Sequence, residues 1–171
     1  MQNILIPLDG SEFSAQILES IKKFLSPQTN ALILFRVGAM TEGHTGLPPR
    51  PASMGAEVAV YDTARDIDLE QHPIYASQEA DNVRGALRDE LESFVQHLRD
   101  AGYAVTTEVE LGNAAEAIIE RARGADIALV AMTTHGRSGI SRLLFGSVAE
   151  QIVRHVDVPV LLLRPVTKHN A

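Results

Sequence analysis

The chain has 171 residues, about the size of one domain, and that is enough to bury a substantial core. A net charge of −7 argues against nucleic acid as a partner, and the absence of cysteine excludes disulfides, thiolate metal sites and cysteine nucleophiles. No run approaches the ~20 apolar residues that span a bilayer and the N-terminal stretch lacks signal-peptide features, so we expect a cytoplasmic protein without membrane contact.

The first part of the chain predicts two buried strands joined by a helix. Residues 4–8 form a short apolar run that ends at Asp9-Gly10-Ser11, and Pro7 is expected near the end of that strand. Apolar residues then recur at helical spacing over residues 13–25, where Ser26-Pro27 stops them. Residues 31–37 predict the second strand.

Residues 38–80 break this rhythm. They contain Pro48, Pro49, Pro51 and several glycines, and they show little periodicity. A structureless connection of this length in a compact domain is usually a lid, a binding loop or disordered chain. We therefore predict one domain over residues 1–171, with a long insertion at about 38–80 between the second strand and the second helix.

The second half predicts an alternation of helices and strands. An apolar stripe from residue 81 to 98 predicts a helix, and alternating residues over 103–111 predict a strand. A capping box at Asn113–Glu116 opens a short helix that extends to about residue 122. A strand at 127–132, a helix at 148–156 and a final strand at 158–163 complete the order.

Apolar strands that alternate with helices predict an α/β fold, with a parallel, doubly wound sheet and helices on both faces. Right-handed crossovers are expected between consecutive strands. Ligands of such sheets bind beyond the carboxyl ends of the strands, where the winding reverses. Chain order alone does not decide between the strand orders 3-2-1-4-5 and 2-1-3-4-5.

A glycine-rich loop follows the strand at 127–132. It runs from Thr133 through Gly136 and Gly139 to Gly146-Ser147, where the next helix begins. Backbone N–H groups converge at such a loop, and the helix dipole adds roughly half a positive charge. Phosphate is the most common ligand of this geometry, so the pattern indicates a nucleotide- or phosphate-binding protein.

With these elements in place, the chain resembles the universal stress protein family. Residues 3–11 and 133–165 carry the resemblance. The nucleotide-binding branch of the family has the motif G-x-x-G-x9-G-[S/T], whose second half is present as Gly136, nine residues, Gly146 and Ser147. Thr133 stands in the place of the first glycine, so the match is partial.

The resemblance implies five strands in the order 3-2-1-4-5, so that the loops after the first and fourth strands face one crevice. It further implies a regulatory stress-response protein that binds ATP, ADP or AMP, with Mg²⁺ screening the phosphates, and that hydrolyses ATP slowly if at all. It implies a homodimer paired through the last strand, and a protein partner that the sequence does not identify. The residues expected to bind the nucleotide are Pro7, Asp9, Val37, Met132, Thr133, Gly136, Arg137, Gly139, Gly146, Ser147 and Val148.

Several of these residues also have a structural interpretation. Ser147 starts a second capping box with Glu150, so its hydroxyl is explained equally well as a helix cap or as a phosphate ligand. Asp9 either forms an Asx-turn, caps the first helix or hydrogen-bonds the adenine or ribose. Val37 and Met132 are also ordinary apolar strand ends.

Two loop residues carry further alternatives. The β-branched Thr133 either crowds the ligand or hydrogen-bonds it through its hydroxyl. Arg137 is interpreted as a phosphate contact or as a solvated charge, and a lone His135 is more often structural or exposed than catalytic.

Two other functions remain open at this stage. An interaction module without nucleotide would work through the insertion, and the threonine at the first motif position motivates that hypothesis. An adenylate-forming enzyme is the third, but the chain lacks H-x-G-H and S-G-G-x-D-S motifs. It also lacks G-x-S-x-G, H-E-x-x-H and a complete Walker A motif, so the sequence shows no motif of a hydrolytic enzyme.

Overall fold

The computed structural model describes residues 1–39, 73–134 and 146–166, with side chains in the second range described from residue 78 onward. Strands and helices alternate throughout these ranges. In chain order they are β1 (Gln2–Leu8), α1 (Glu12–Phe24), β2 (Asn30–Gly38), α2 (Pro73–Asp100), β3 (Ala104–Leu111), α3 (Ala114–Ala122), β4 (Ile127–Thr133), α4 (Ser147–His155) and β5 (Val160–Leu163).

The five strands form one sheet in the order β3-β2-β1-β4-β5, and every neighbouring pair is parallel. This confirms the α/β class and the order that the resemblance implied. The winding reverses between β1 and β4, which are neighbours in the sheet although two strands separate them in the chain. The loops that follow these two strands therefore leave the same edge of the sheet.

Each face of the sheet is covered by two helices. On one face, side chains of α1 and α2 such as Ile17 and Leu91 pack on inward side chains of the central strands such as Ile6 and Leu34. On the other, α3 and α4 pack on a second cluster that includes Phe35 and Ile118. Alternate residues of β2 thus belong to opposite cores, as expected for a strand buried on both faces.

Element boundaries differ from the sequence prediction in two places. Helix α2 begins at Pro73, earlier than the predicted start near residue 81, so it extends into the predicted insertion. Strand β5 is shorter than predicted and starts at Val160, because Pro159 has no N–H for the ladder and contributes only its carbonyl, which accepts a hydrogen bond from Val130. Pro7 is the penultimate residue of β1, as predicted. The rest of the predicted insertion, residues 40–72, lies outside the described residues.

Within the described ranges, no helix combines the length and the apolar character that a bilayer crossing requires.

Arg121 at the end of α3 joins the helix to two strands of the sheet. It donates to Glu108 of β3 at 2.6 Å and to Asp126, just before β4, at 3.0 Å. The hydrogen bond from Arg121 is the main reason that the pKa of Asp126 lies below its ordinary value. Since the folded pKa is the lower one, the stabilisation by ionised Asp126 is present above its unfolded pKa and is lost as pH falls through its folded pKa.

We expect Arg121→Met to raise the pKa of Asp126 towards the ordinary aspartate value of about 3.9. The substitution should therefore destabilise the protein more at neutral pH than at pH values below the folded pKa of Asp126. NMR titration of the side-chain carboxyl carbon measures this pKa directly. Arg123→Met, which removes a neighbouring arginine that pairs with Glu120, is the matched control. An Asp126 pKa unchanged by Arg121→Met would contradict this assignment.

Candidate functional site

A cavity of about 290 Å³ opens at the carboxyl ends of β1, β2 and β4, where the winding of the sheet reverses. This volume is close to the lower end of the roughly 300–1,000 Å³ typical of small-molecule sites. The strand ends, the first turn of α1 and the starts of α3 and α4 contribute to its wall. The cavity therefore lies where a ligand is expected in an open parallel sheet.

The turn after β1 is held by its own side chains. Asp9 Oδ1 accepts hydrogen bonds from the backbone N–H of Ser11 at 2.9 Å and from the Ser11 hydroxyl at 2.6 Å. The Asx-turn interpretation of Asp9 is thus correct, whereas the N-cap of α1 is Ser11, whose Oγ accepts from Ser14 N at 3.1 Å. The turn places Asp9 in the cavity wall in a fixed orientation.

Backbone hydrogen bonds fix the other side of the cavity. The N–H of Thr134 donates to the carbonyl of Leu163 at 2.9 Å, and the N–H of Gly146 donates to the carbonyl of Thr134 at 2.7 Å. The residues that flank segment 135–145 are therefore joined to each other directly at the end of β4. This brings the first turn of α4 over the same strand ends as Asp9.

The N-terminus of α4 begins at a glycine. Its N-cap is Gly146, with φ −73° and ψ 159°, which has no side chain, and among residues 1–39, 78–134 and 146–166 no side chain accepts a capping hydrogen bond there. Of the two interpretations of Ser147, the helix cap does not hold, because Ser147 is already the first helical residue. The first i→i−4 hydrogen bond of the helix runs from Glu150 N to Gly146 O, which leaves the N–H groups of Ser147 and Val148 ahead of the helical ladder.

Three helix N-termini contribute to the cavity wall, and two of them are capped. Ser11 caps α1, and Asn113 caps α3 by accepting from Ala115 N at 2.9 Å and from Glu116 N at 3.3 Å. At α4 the N-cap is a glycine, and within the part of the chain that the structure describes the first-turn donors, which belong to residues of the cavity wall, have no side-chain acceptor. Uncapped N–H groups and the positive end of the helix dipole favour a negatively charged group at that position.

The wall opposite the turns is apolar. Val37 and Met132, both predicted to bind a nucleotide, lie there beside Val148. Phe35 and Ile118 complete this side, and the sequence did not single them out. They belong to the core formed by α3 and α4, so this wall is continuous with a packed interior and suits a flat apolar group.

Thr133 lines the cavity without filling it. Thr133 is only 5 % exposed. It is the last residue of β4 and pairs with Leu163 of β5. The cavity of about 290 Å³ is present alongside this side chain. The β-branched residue at the first motif position therefore leaves room for a ligand.

A buried arginine is one of the residues that line the cavity. Arg36, near the end of β2, is 5 % exposed, and its Nη2 lies 3.1 Å from Glu90 Oε2 of α2. The sequence reasoning did not select Arg36, although a charged residue inside an otherwise apolar strand was the available signal. Ser14 and Ala114 are further wall residues that it missed.

The structure brings together most of the predicted site residues around this cavity. Those in its wall are Pro7, Asp9, Val37, Met132, Thr133, Gly146, Ser147 and Val148. The predicted residues Gly136, Arg137 and Gly139 lie outside the described residues, as does His135.

Among residues 1–39, 78–134 and 146–166, no three histidine or acidic side chains are grouped so as to hold a metal ion.

These features define a class: a doubly wound α/β protein with a cavity at the switch point of the sheet, lined by the glycine-capped N-terminus of a helix and by apolar side chains. The sequence profile of the universal stress protein family matches residues 1–164. The chain belongs to the universal stress protein family.

Similarity to individual proteins extends over nearly the whole chain. Universal stress protein Sll1388 of Synechocystis is 24% identical over 161 residues, which cover 94% of this chain and 96% of that protein. The solved structure of MJ0577, from Methanocaldococcus jannaschii, covers 98% of both chains with a TM-score of 0.69 and 21% identity. The family protein At3g01520 of Arabidopsis thaliana, solved with AMP bound, covers 100% of this chain and 96% of its own, with a TM-score of 0.59 and 14% identity. At these identities the solved structures show the shared fold.

Proposed function

We propose that this protein binds an adenine nucleotide in the cleft between the β1 and β4 loops and acts as a regulatory protein of the stress response in the cytoplasm. The observation that carries the proposal is the pairing of an apolar wall with the uncapped α4 N-terminus in one cavity. An apolar surface suits a purine base, and free N–H groups at a helix N-terminus suit a phosphate. The family protein At3g01520, solved with AMP, adds support by analogy.

Each part of the nucleotide has a place in this proposal. The base lies against the apolar wall formed by Val37, Met132 and Ile118. The ribose or the base edge is hydrogen-bonded by Asp9, and the phosphates are bound at Ser147 and Val148. Gly136, Arg137 and Gly139, in the loop that the motif defines, complete the phosphate contacts, and Mg²⁺ screens the phosphate charge.

The proposed role is regulatory, with the bound nucleotide read by a partner protein. Any ATP hydrolysis is slow and incidental, because the sequence carries no complete hydrolytic motif. We expect turnover below about one per second, the low end of ordinary enzymes. Faster turnover of ATP would contradict a purely regulatory role.

Two measurements on the purified protein test the proposal. Mass spectrometry of small molecules released by denaturation identifies a nucleotide that co-purifies. Thermal unfolding with added ATP, ADP and AMP tests binding in the apo protein, because a ligand that binds only the folded state raises the unfolding temperature. We expect at least one adenine nucleotide to be found or to stabilise the protein. Neither a released nucleotide nor a thermal shift with any of the three would overturn the proposal.

We further propose that the protein forms a homodimer through β5. Val160–Leu163 is an apolar edge strand that pairs on one side with β4, and it is half-buried in the single chain. Pairing with the same strand of a second copy would satisfy its free edge. Sedimentation at about 10 µM is expected to show a species of about twice the 18.5 kDa chain mass. A monomer at that concentration would contradict the dimer.

A further inference from the structure

Arg36 is a charged residue at a buried position of the sheet. Its strand is central and apolar, and Arg36 follows Leu32 and Leu34 on the face that packs against α1 and α2. A guanidinium buried at such a position requires partners for its charge and its N–H groups. The structure shows these partners.

All three nitrogens of the Arg36 guanidinium are engaged. Nε and Nη2 donate to Glu90 Oε2 at 3.3 and 3.1 Å, and Nη1 donates to the carbonyl of Val37 at 3.1 Å. Glu90 belongs to α2, its side chain is 49% exposed, and it is not part of the cavity wall. Thus one carboxylate from outside the cavity wall holds the side chain of a residue that belongs to the wall.

The turn at Asp9–Ser11, after β1, packs closely against the ion pair of Arg36 and Glu90. Gly10 has φ +81°, and a Cβ built there would lie 3.1 Å from both Arg36 Nη2 and Glu90 Oε2. Glycine is required at this position by the backbone conformation and also by the close approach of the two side chains. Gly10 is flanked by Asp9 and Ser11, whose mutual hydrogen bonds orient the Asp9 carboxylate.

We propose that Glu90 is a positioning residue of the nucleotide site: through Arg36 it supports the Asp9–Ser11 turn and so sets the affinity for adenine nucleotide. This inference rests on the proposed function and extends the site to helix α2, which does not itself line the cavity. Among the described residues, removal of Glu90 leaves the buried Arg36 with the Val37 carbonyl as its remaining hydrogen-bond partner. The guanidinium then moves, and the turn above it loses its support.

A series of variants tests this role by titration with AMP. Glu90→Ala removes the acceptor and is expected to weaken AMP binding about tenfold, the size typical of coupled neighbours in one network. Glu90→Gln keeps an acceptor oxygen for Arg36 and is expected to recover most of that loss. Glu92→Ala, which removes an exposed acidic residue from the same helix, is the matched control and should bind AMP like the original protein. Unchanged or tighter binding by Glu90→Ala would overturn the inference.

Amide hydrogen exchange provides a readout that needs no ligand. In Glu90→Ala the Ser11 amide, which donates to Asp9, should exchange faster, while the Ala115 amide, capped by Asn113, should be unaffected. Equal protection of Ser11 in both proteins would overturn the inference. If Glu90→Ala does not fold, Gly10→Ala disturbs the same contact from the turn, and unchanged AMP affinity there would overturn it as well.

The outcomes separate this inference from the proposed function. If the original protein binds none of ATP, ADP and AMP, both fail. If it binds AMP and Glu90→Ala binds AMP equally well, the role of Glu90 fails alone.

Discussion

Replacing Gly146 with aspartate is expected to abolish nucleotide binding while leaving the protein at least as stable as before. Gly146 is the N-cap of α4, and its extended backbone conformation is one that aspartate adopts without strain. An aspartate there accepts hydrogen bonds from the first-turn N–H groups and interacts favourably with the helix dipole, which adds a few tenths of a kcal/mol relative to glycine. The same carboxylate occupies the proposed phosphate position and repels the phosphate charge.

Gly146→Asp is thus expected to lower the affinity for nucleotide without lowering stability, so general unfolding cannot account for the loss of binding. We expect the affinity for ATP to fall at least about a hundredfold, measured by calorimetric titration, while the urea midpoint stays equal or rises. Gly146→Asn caps the helix without a negative charge and is the matched control, with a smaller loss of affinity. Unaltered ATP affinity in Gly146→Asp would contradict phosphate binding at α4.

Asp9→Ala is expected to weaken adenine nucleotide binding roughly tenfold to a hundredfold. The variant loses the acceptor that organises the turn and also the proposed contact with the ribose or the base edge. Loss of a hydrogen bond to a charged group corresponds to about 1.5–3 kcal/mol, which gives that range of affinity. Calorimetric titration with AMP measures the effect without interference from further phosphates.

Asp9→Asn separates the two contributions of this side chain. Asparagine retains an oxygen for Ser11 N and so preserves the Asx-turn, but it carries no charge. If the carboxylate binds the nucleotide, Asp9→Asn should lie between the original protein and Asp9→Ala in AMP affinity. Full affinity in Asp9→Ala would contradict any role of this turn in binding.

Sequence patterns were enough to predict the elements of the fold, because strands buried on both faces are nearly continuous apolar runs and the helices have clear apolar stripes. The strand order needed the family resemblance, since alternation of strands and helices fits more than one order. Boundaries depended on local chemistry: Pro159 shortens β5 because it lacks an N–H. The start of α2 at Pro73 was missed because the residues before position 81 show weak apolar periodicity.

The site was predictable where it depends on strand ends and not where it depends on packing between distant segments. Asp9, Val37 and Met132 were implied by the family resemblance, and they lie at the carboxyl ends of strands, where ligands of such sheets bind. Ile118 lines the cavity because α3 packs beside α4, a tertiary contact that no local pattern encodes.

Two further differences concern a helix boundary and a contact between distant residues. Ser147 fits a capping-box pattern, but the helix begins one residue earlier than that pattern requires. The pairing of Arg36 with Glu90 joins positions 54 residues apart and is visible only in the folded chain.

The position of the ligand is tested most directly by methyl NMR of the protein during titration with AMP. Ile118, Val37 and Met132 line the proposed base pocket, whereas Ile21 and Leu98 lie in the core on the opposite face of the sheet. We predict that saturating AMP shifts the methyl signals of the first three residues and leaves those of the other two in place. Methyl signals in the cleft that do not move, or AMP-induced shifts confined to another surface, would contradict nucleotide binding between the β1 and β4 loops.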